Sequence, residues 1–171
     1  MPEIISYSLL AIYILGMLII LGYSLALGHL LIGFWKSKRR NQKDPSLPSE
    51  WPKVTIQLPV FNELYVAERL VDAVAKIDYP LEKLEVQILD DSTDETSGLI
   101  QAKLKQYPAF PFVYLHRSNR KGFKAGALRE GLIVAKGEFI AIFDADFLPN
   151  PDFLKKTIPY FQDDRVGMVQ T

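Results

Sequence analysis

The chain has 171 residues, of which 49% are hydrophobic, with 20 Lys and Arg against 20 Asp and Glu and no cysteine. A neutral balance lacks the basic face with which a nucleic-acid binder displaces counterions, so no nucleic acid is expected as a partner. The missing thiols exclude disulfide frameworks and thiolate-held metals, so any bound ion must use oxygen or imidazole.

The N-terminus comes first in chain order and carries the surplus of apolar residues. Ile4 to Trp35 contain no Asp, Glu, Lys or Arg, and a membrane span needs about 20 such residues. Residues 1–35 are therefore expected to form one transmembrane helix. The alternative, a helix of a soluble core, seldom runs this long without a charge. A cleaved leader would open on Lys or Arg with a shorter apolar run, whereas this chain opens Met1, Pro2, Glu3. Lys36, Lys38, Arg39 and Arg40 follow the apolar run, and positive flanks stay in the cytoplasm. The expectation is an integral membrane protein with its N-terminus outside and everything after Trp35 inside. His29 has no ionisable partner in the span, which favours a packed or interfacial role over a proton relay. Residues 36–52 read as a basic, Pro-containing juxtamembrane linker, extended over Asn41 to Pro52.

From Lys53 the pattern becomes strand, loop, helix, repeated. Lys53 to Leu58 is a β-rich run, and Val66, Leu70, Val71 and Val74 then fall at helical spacing. Leu84 to Leu89 is a second strand. Ser92 and Glu95 have the spacing of a capping box for a helix bearing Leu99, Ile100, Lys103, Leu104 and Tyr107. Phe112 to His116 is a third strand. Lys121 to Ala135 is expected to be a helix with Phe123, Ala127, Leu128 and Leu132 on its buried face. Glu138 to Phe143 is a fourth strand, Asn150 and Pro151 read as N-cap and N1 of a last helix, Pro159 should end or kink that helix, and Val166 to Gln170 should begin a fifth strand. Such alternation implies a doubly wound, mostly parallel α/β sheet.

In open α/β sheets ligands bind beyond the carboxyl ends of the strands. Three of these ends carry unusual side chains: Phe61-Asn62-Glu63, Asp90-Asp91-Ser92 and Asp144-Ala145-Asp146. Two carboxylates one residue apart suit a hard divalent ion such as Mg²⁺ or Mn²⁺, which shares its remaining positions with substrate phosphates. Alone, the pair would serve equally well to end a strand and cap the next turn. No glycine-rich phosphate cradle is present. Side-chain cations at Arg117, Arg120, Lys121 and Lys124 stand where a helix begins and would favour anions, unless they form only a solvated basic face.

Together, "LPVFNE", "ILDDSTDET", "NRKGFKAGAL" and "FDADFLPNPDFL" resemble the membrane-bound branch of glycosyltransferase family 2, near cellulose-synthase-like and β-mannan-synthase-like enzymes of the GT-A (nucleotide-diphospho-sugar transferase) fold. The resemblance covers Val54 to Thr171 and makes residues 53–171 a donor-binding domain, C-terminally incomplete. It implies a nucleotide-diphosphate sugar donor of the UDP-glucose or GDP-mannose type, a Mg²⁺ or Mn²⁺ ion, and inverting transfer of a hexose to a growing β-glycan. By matching motif, Phe61, Asn62 and Glu63 line the nucleoside pocket, Asp91 accepts a hydrogen bond from the base, Lys124 sits near the donor phosphates, and Asp144 and Asp146 serve donor and metal, with Asp146 the direct ligand. The general base of similar enzymes lies in a later acidic motif, so no catalytic residue is assigned and the 171 residues alone are expected to transfer no sugar. Asp163 and Asp164 would lie at the entry of the fifth strand, away from the donor site. A lipid-directed transferase, acting on ceramide or a polyprenyl phosphate, and a non-catalytic nucleotide-sugar-binding membrane protein are the competing readings.

Overall fold

The computed structural model describes residues 2–39 and 45–170. Two compact units divide at residues 44 and 45.

The first unit is a single helix, α1 (Pro2–Arg39). Its stretch Ile4–Lys36 is 33 residues long and apolar enough to cross a membrane, about 50 Å at 1.5 Å per residue. Apolar side chains lie exposed all around it, Ile4, Tyr13, Ile20 and Leu30 among them. Arg40 to Asp44, the middle of the expected linker, lie outside the described residues.

The second unit is an α/β sheet. Its strands are β1 (Val54–Val60), β2 (Leu84–Asp90), β3 (Phe112–His116) and β4 (Phe139–Ile142), all parallel, in the order β3-β2-β1-β4. The helices are α2 (Ala67–Val74), α3 (Thr96–Leu104), α4 (Phe123–Val134) and α5 (Phe153–Thr157). One face of the central strands presents Val54, Ile56, Leu58, Val86 and Ile88 to Leu70, Val71 and Val74 of α2, Ile100 of α3 and Leu154 of α5, and this is the core. The opposite face lies under α4 and is polar at its centre. There Thr55 donates to Glu85 at 3.2 Å, Gln57 to Gln87 at 3.0 Å and Gln87 to Glu85 at 2.9 Å, so the buried ladder satisfies itself.

That polar face corrects the expected face of α4. Phe123 and Leu132 are 65% and 55% exposed, and the residues turned to the sheet are Gly126, Ala127 and Gly131. Helix and sheet approach so closely that a Cβ on Gly131 would stand 2.7 Å from Nε2 of Gln57. Only small residues fit between them, so the apolar stripe faces away.

Other expectations also change. The capping box does not form: the Ser92 hydroxyl accepts from the Asn62 amide at 2.9 Å, and Asp94 Oδ1 takes the Thr96 amide at 3.0 Å instead. Tyr107 falls beyond the end of α3, where its hydroxyl donates to Asp72 at 2.5 Å. Asn150 and Pro151 form a turn, and Asp152 is the N-cap of α5, because the Pro151 carbonyl is engaged by the Asp78 amide at 2.8 Å. Pro159 stands where α5 gives way to a 3₁₀ turn, Ile158–Gln162. Val166 to Gln170 is not a strand, since it finds no ladder partner among the described residues, and the entry position expected for Asp163 and Asp164 goes with it. The last part of the expected spacer is packed down: Trp51 meets Tyr79 edge-on at 5.4 Å, and the Tyr79 hydroxyl donates to the Pro52 carbonyl at 2.7 Å.

Candidate functional site

The carboxyl ends of β1, β2 and β4 open into one cavity of about 420 Å³, lined by Phe61, Glu63, Asp91, Arg120, Lys124, Asp144 and Asp146 among others. The parallel register brings these ends level, pairing Val60 with Asp90 and Gln57 with Ile142.

The acidic doublet after β2 divides its labour. Asp90 is fully buried. Its carboxylate accepts from the Ser92 amide at 2.8 Å and from the hydroxyls of Ser97 and Tyr114 at 2.5 Å each, with His116 Nδ1 at 3.4 Å. Burial opposes its ionisation, but the hydrogen bonds from Ser92, Ser97 and Tyr114 outweigh burial and hold the carboxyl below its ordinary value. Burial and the bond to Asp90 push the Tyr114 hydroxyl up. Asp90 thus braces the strand end, while its neighbour Asp91 faces the cavity. Asp91 is 4% exposed in its side chain and receives Arg117 in a two-pronged pair, Nε to Oδ1 at 2.7 Å and Nη2 to Oδ2 at 2.5 Å. That bond, followed by those to Glu130, holds the guanidinium above its ordinary pKa despite burial. A carboxylate has about four lone-pair sites, so Asp91 retains acceptor capacity.

On the opposite wall, Gly122 (φ 75) and Phe123 (φ 51) lead into α4 with left-handed backbone. The Arg120 guanidinium lies 3.2 Å over the centroid of Phe61 and 5.1 Å from that of Phe123. Lys124 forms an ion pair with Asp144. Ala145 is buried while Asp144 and Asp146 on either side of it are exposed, so both carboxylates project from the turn after β4. Among the described residues no group of three or more His, Asp and Glu closes a cage. An open pair fits Mg²⁺ or Mn²⁺, which hold one or two carboxylates and complete their shell with water and phosphate oxygens.

The sequence pattern described as Glycosyl transferase family 2 matches residues 55–171. The chain belongs to glycosyltransferase family 2. Within the family it is 43% identical, over 135 residues and 74% of its length, to a glucomannan 4-β-mannosyltransferase of Oryza sativa subsp. japonica, of which it spans 26%. A mannosyltransferase of Pyrobaculum calidifontis, solved in complex with GDP-Man and Mn²⁺, superposes with a TM-score of 0.70 at 33% identity, covering 82% of this chain and 42% of that one. Residues 1–349 of S. aureus TarS share the fold alone, at a TM-score of 0.58 and 24% identity over 66% of this chain and 33% of that one. The family 2 chain therefore spans about a quarter of the length of its curated plant relative.

Of the residues singled out in this glycosyltransferase sequence, Phe61, Glu63, Asp91, Lys124, Asp144 and Asp146 are brought together at the cavity. Asn62 is not among its lining residues. With φ 54 it turns back, its Oδ1 accepting the Thr93 amide at 2.9 Å while its own amide donates to Ser92 at 2.9 Å, so it stitches the loops after β1 and β2 together. Two side chains gain roles that the sequence offered only as part of a basic cluster. Arg120 stacks on Phe61, and Arg117 buries itself against Asp91. The basic cluster was visible in the sequence, but only the fold shows that Arg117 turns in against Asp91 while Arg120 lies on Phe61.

Proposed function

We propose that this chain is the donor-binding part of a membrane-anchored, metal-dependent, inverting glycosyltransferase that moves a hexose from a nucleotide-diphosphate sugar to a growing β-glycan. GDP-mannose is the favoured donor, because the plant relative is a glucomannan mannosyltransferase and the archaeal neighbour was solved with GDP-Man and Mn²⁺. The observation that carries the reading is the single cavity in which an aromatic face, a hydrogen-bond acceptor, a lysine and two exposed carboxylates converge at three strand ends.

In this reading the base lies toward Phe61 and Asp91, with Asp91 accepting a ring N–H. Lys124 exchanges its Asp144 partner for the donor phosphates and so meets the negative charge that grows on the leaving nucleotide diphosphate. Asp144 and Asp146 would hold the divalent ion, which when bound supplies Lewis-acid stabilisation of that same leaving group. No described residue is assigned as the base that takes the proton of the acceptor hydroxyl. The helix α1 anchors the chain in the membrane, and the basic residues Lys36, Lys38, Arg39 and Arg40 keep the cavity on the cytoplasmic side.

Calorimetry on the chain in detergent tests the proposal. GDP-mannose should bind in the presence of Mn²⁺ more tightly than UDP-glucose, and Asp146→Asn should weaken binding at least tenfold. Equal affinity with and without chelator would remove the metal from the reading, and preference for UDP-glucose would remove mannose.

A further inference from the structure

Arg117 follows β3 directly, and its side chain is 9% exposed. It is not among the residues that line the cavity, yet its guanidinium reaches both walls. Toward β2 it grips both oxygens of Asp91, at 2.7 and 2.5 Å. Toward α4 its Nη1 donates to the Lys121 carbonyl at 3.3 Å and its Nη2 to the Phe123 carbonyl at 3.1 Å, while Glu130 Oε1 receives Nη1 at 3.0 Å. Its own amide donates to the Asp90 carbonyl at 2.9 Å, which seats the residue on the sheet.

The two carbonyls it holds bracket Gly122 and belong to the left-handed turn with φ 75 at Gly122 and φ 51 at Phe123. A non-glycine residue keeps such a conformation only where its surroundings over-determine it. Gly126 makes room for this arrangement, since a Cβ there would stand 3.0 Å from Nη1 of Arg117 and 2.0 Å from the Lys121 carbonyl oxygen. Arg120 and Lys124, the cations of the cavity wall, flank this turn on either side. A planar fork with five donors can serve a carboxylate and two carbonyls at once, and the single ammonium of lysine cannot.

We propose that Arg117 is a positioning residue for donor binding. One guanidinium straps the base-facing carboxylate of Asp91 to the turn that aims Lys124, so the two ends of the donor subsite are held in one register by a group that does not itself line the cavity. The role rests on the donor reading above, and it couples places that no direct contact joins. Loosening Asp91 should disturb the phosphate end, and loosening the turn should disturb the base end.

The full chain in detergent, as wild type, Arg117→Lys, Asp91→Asn and the double variant, is titrated with GDP and with inorganic pyrophosphate, each in Mn²⁺. Amide hydrogen exchange over residues 120–126 is followed without ligand. Arg117→Lys should lose at least tenfold in affinity for both probes, and Asp91→Asn should lose several-fold even for pyrophosphate, which has no base. The double variant should be no weaker than the weaker single one, and the turn should exchange at least tenfold faster in both. Unchanged pyrophosphate binding in Asp91→Asn, additive losses, or wild-type protection of the turn in Arg117→Lys would each overturn the strap. Wild-type binding of GDP matched by Arg117→Lys sinks the strap alone, whereas a wild type that binds neither GDP nor pyrophosphate sinks the donor reading and the strap with it. Should Arg117→Lys fail to fold, Asp91→Asn on pyrophosphate still decides.

Discussion

Replacing Gly131 by Ala sets two effects of opposite sign against each other. In an exposed helix the change would stabilise by about 1 kcal/mol, because alanine loses less backbone freedom on folding. Here the added methyl would stand 2.7 Å from Nε2 of Gln57, 2.8 Å from Oε1 of Gln87 and 2.8 Å from Cδ2 of Leu89. Ordinary contact is about 3.5–4.0 Å, so helix or strands must give way. Two of the three atoms are donor and acceptor of the 3.0 Å hydrogen bond between Gln57 and Gln87. Overpacking by a methyl costs about 1–3 kcal/mol, and parting buried amides costs about 1–3 kcal/mol more. Set against the helical gain, the net loss is about 1–5 kcal/mol, whose middle corresponds to a fall in Tm of roughly 10 °C for a unit of this size. Thermal unfolding of the full chain in detergent, followed by Trp51 fluorescence in a Trp35→Phe background, measures it. Trp51 packs against Tyr79 in the α/β unit, so the signal excludes α1. A raised Tm would mean that α4 rides outward at no cost, and would refute the close approach on which the polar ladder and the small-residue face both depend.

Asp90 gives a pH dependence of known sign. Its folded pKa is held low, so the stability it contributes is complete above the unfolded value of about 3.9 and drains away as pH falls through that value toward the folded one. Urea midpoints at pH 7 and pH 2.5 should therefore lie closer together in Asp90→Asn than in the wild type, with the variant weaker at pH 7; an unchanged gap would show that the hydroxyls of Ser97 and Tyr114 do not favour the ionised form. A reporter fused after Thr171 should be cytoplasmic, since the positive flank follows the apolar stretch, and protease protection placing it outside would overturn both the topology and the use of a cytosolic donor.

Parallel pairing and the strand limits were legible because β1 and β2, covered on both faces, read as short buried runs between turn signals. The cavity residues were legible because they follow strand ends, where an open sheet leaves room. What escaped was tertiary in origin. The stripe of Phe123 and Leu132 has helical spacing, but spacing does not say how near a helix comes to its sheet, and at this distance Gly126 and Gly131 take the inward side. Ser92 and Glu95 have capping spacing, yet the Ser92 hydroxyl was claimed by Asn62 across the sheet. The division between Asp90 and Asp91 was likewise invisible, since only the folded chain shows that one carboxylate is met by Ser97 and Tyr114 and the other by Arg117.

The buried ladder between β1 and β2 bears on an error that apolar patterning cannot prevent. Side chains alternate faces with a period of two, so sliding β2 by two residues along β1 leaves every apolar group on its proper side. In the native pairing Thr55 meets Glu85 and Gln57 meets Gln87. After such a slip Gln57 would meet either Glu85 or Leu89, the amide chain would be broken or left with an orphan, and the penalty of about 1–3 kcal/mol per stranded group would fall on the wrong alignment alone. The same slip would carry Asp91 about 6.6 Å along the sheet, at 3.3 Å per residue, away from Phe61 and the turn before α4. The amides in the middle of the sheet thus act as a vernier: by making one alignment distinguishable from its neighbours, they decide whether carboxylates some distance away arrive at the mouth of the cavity.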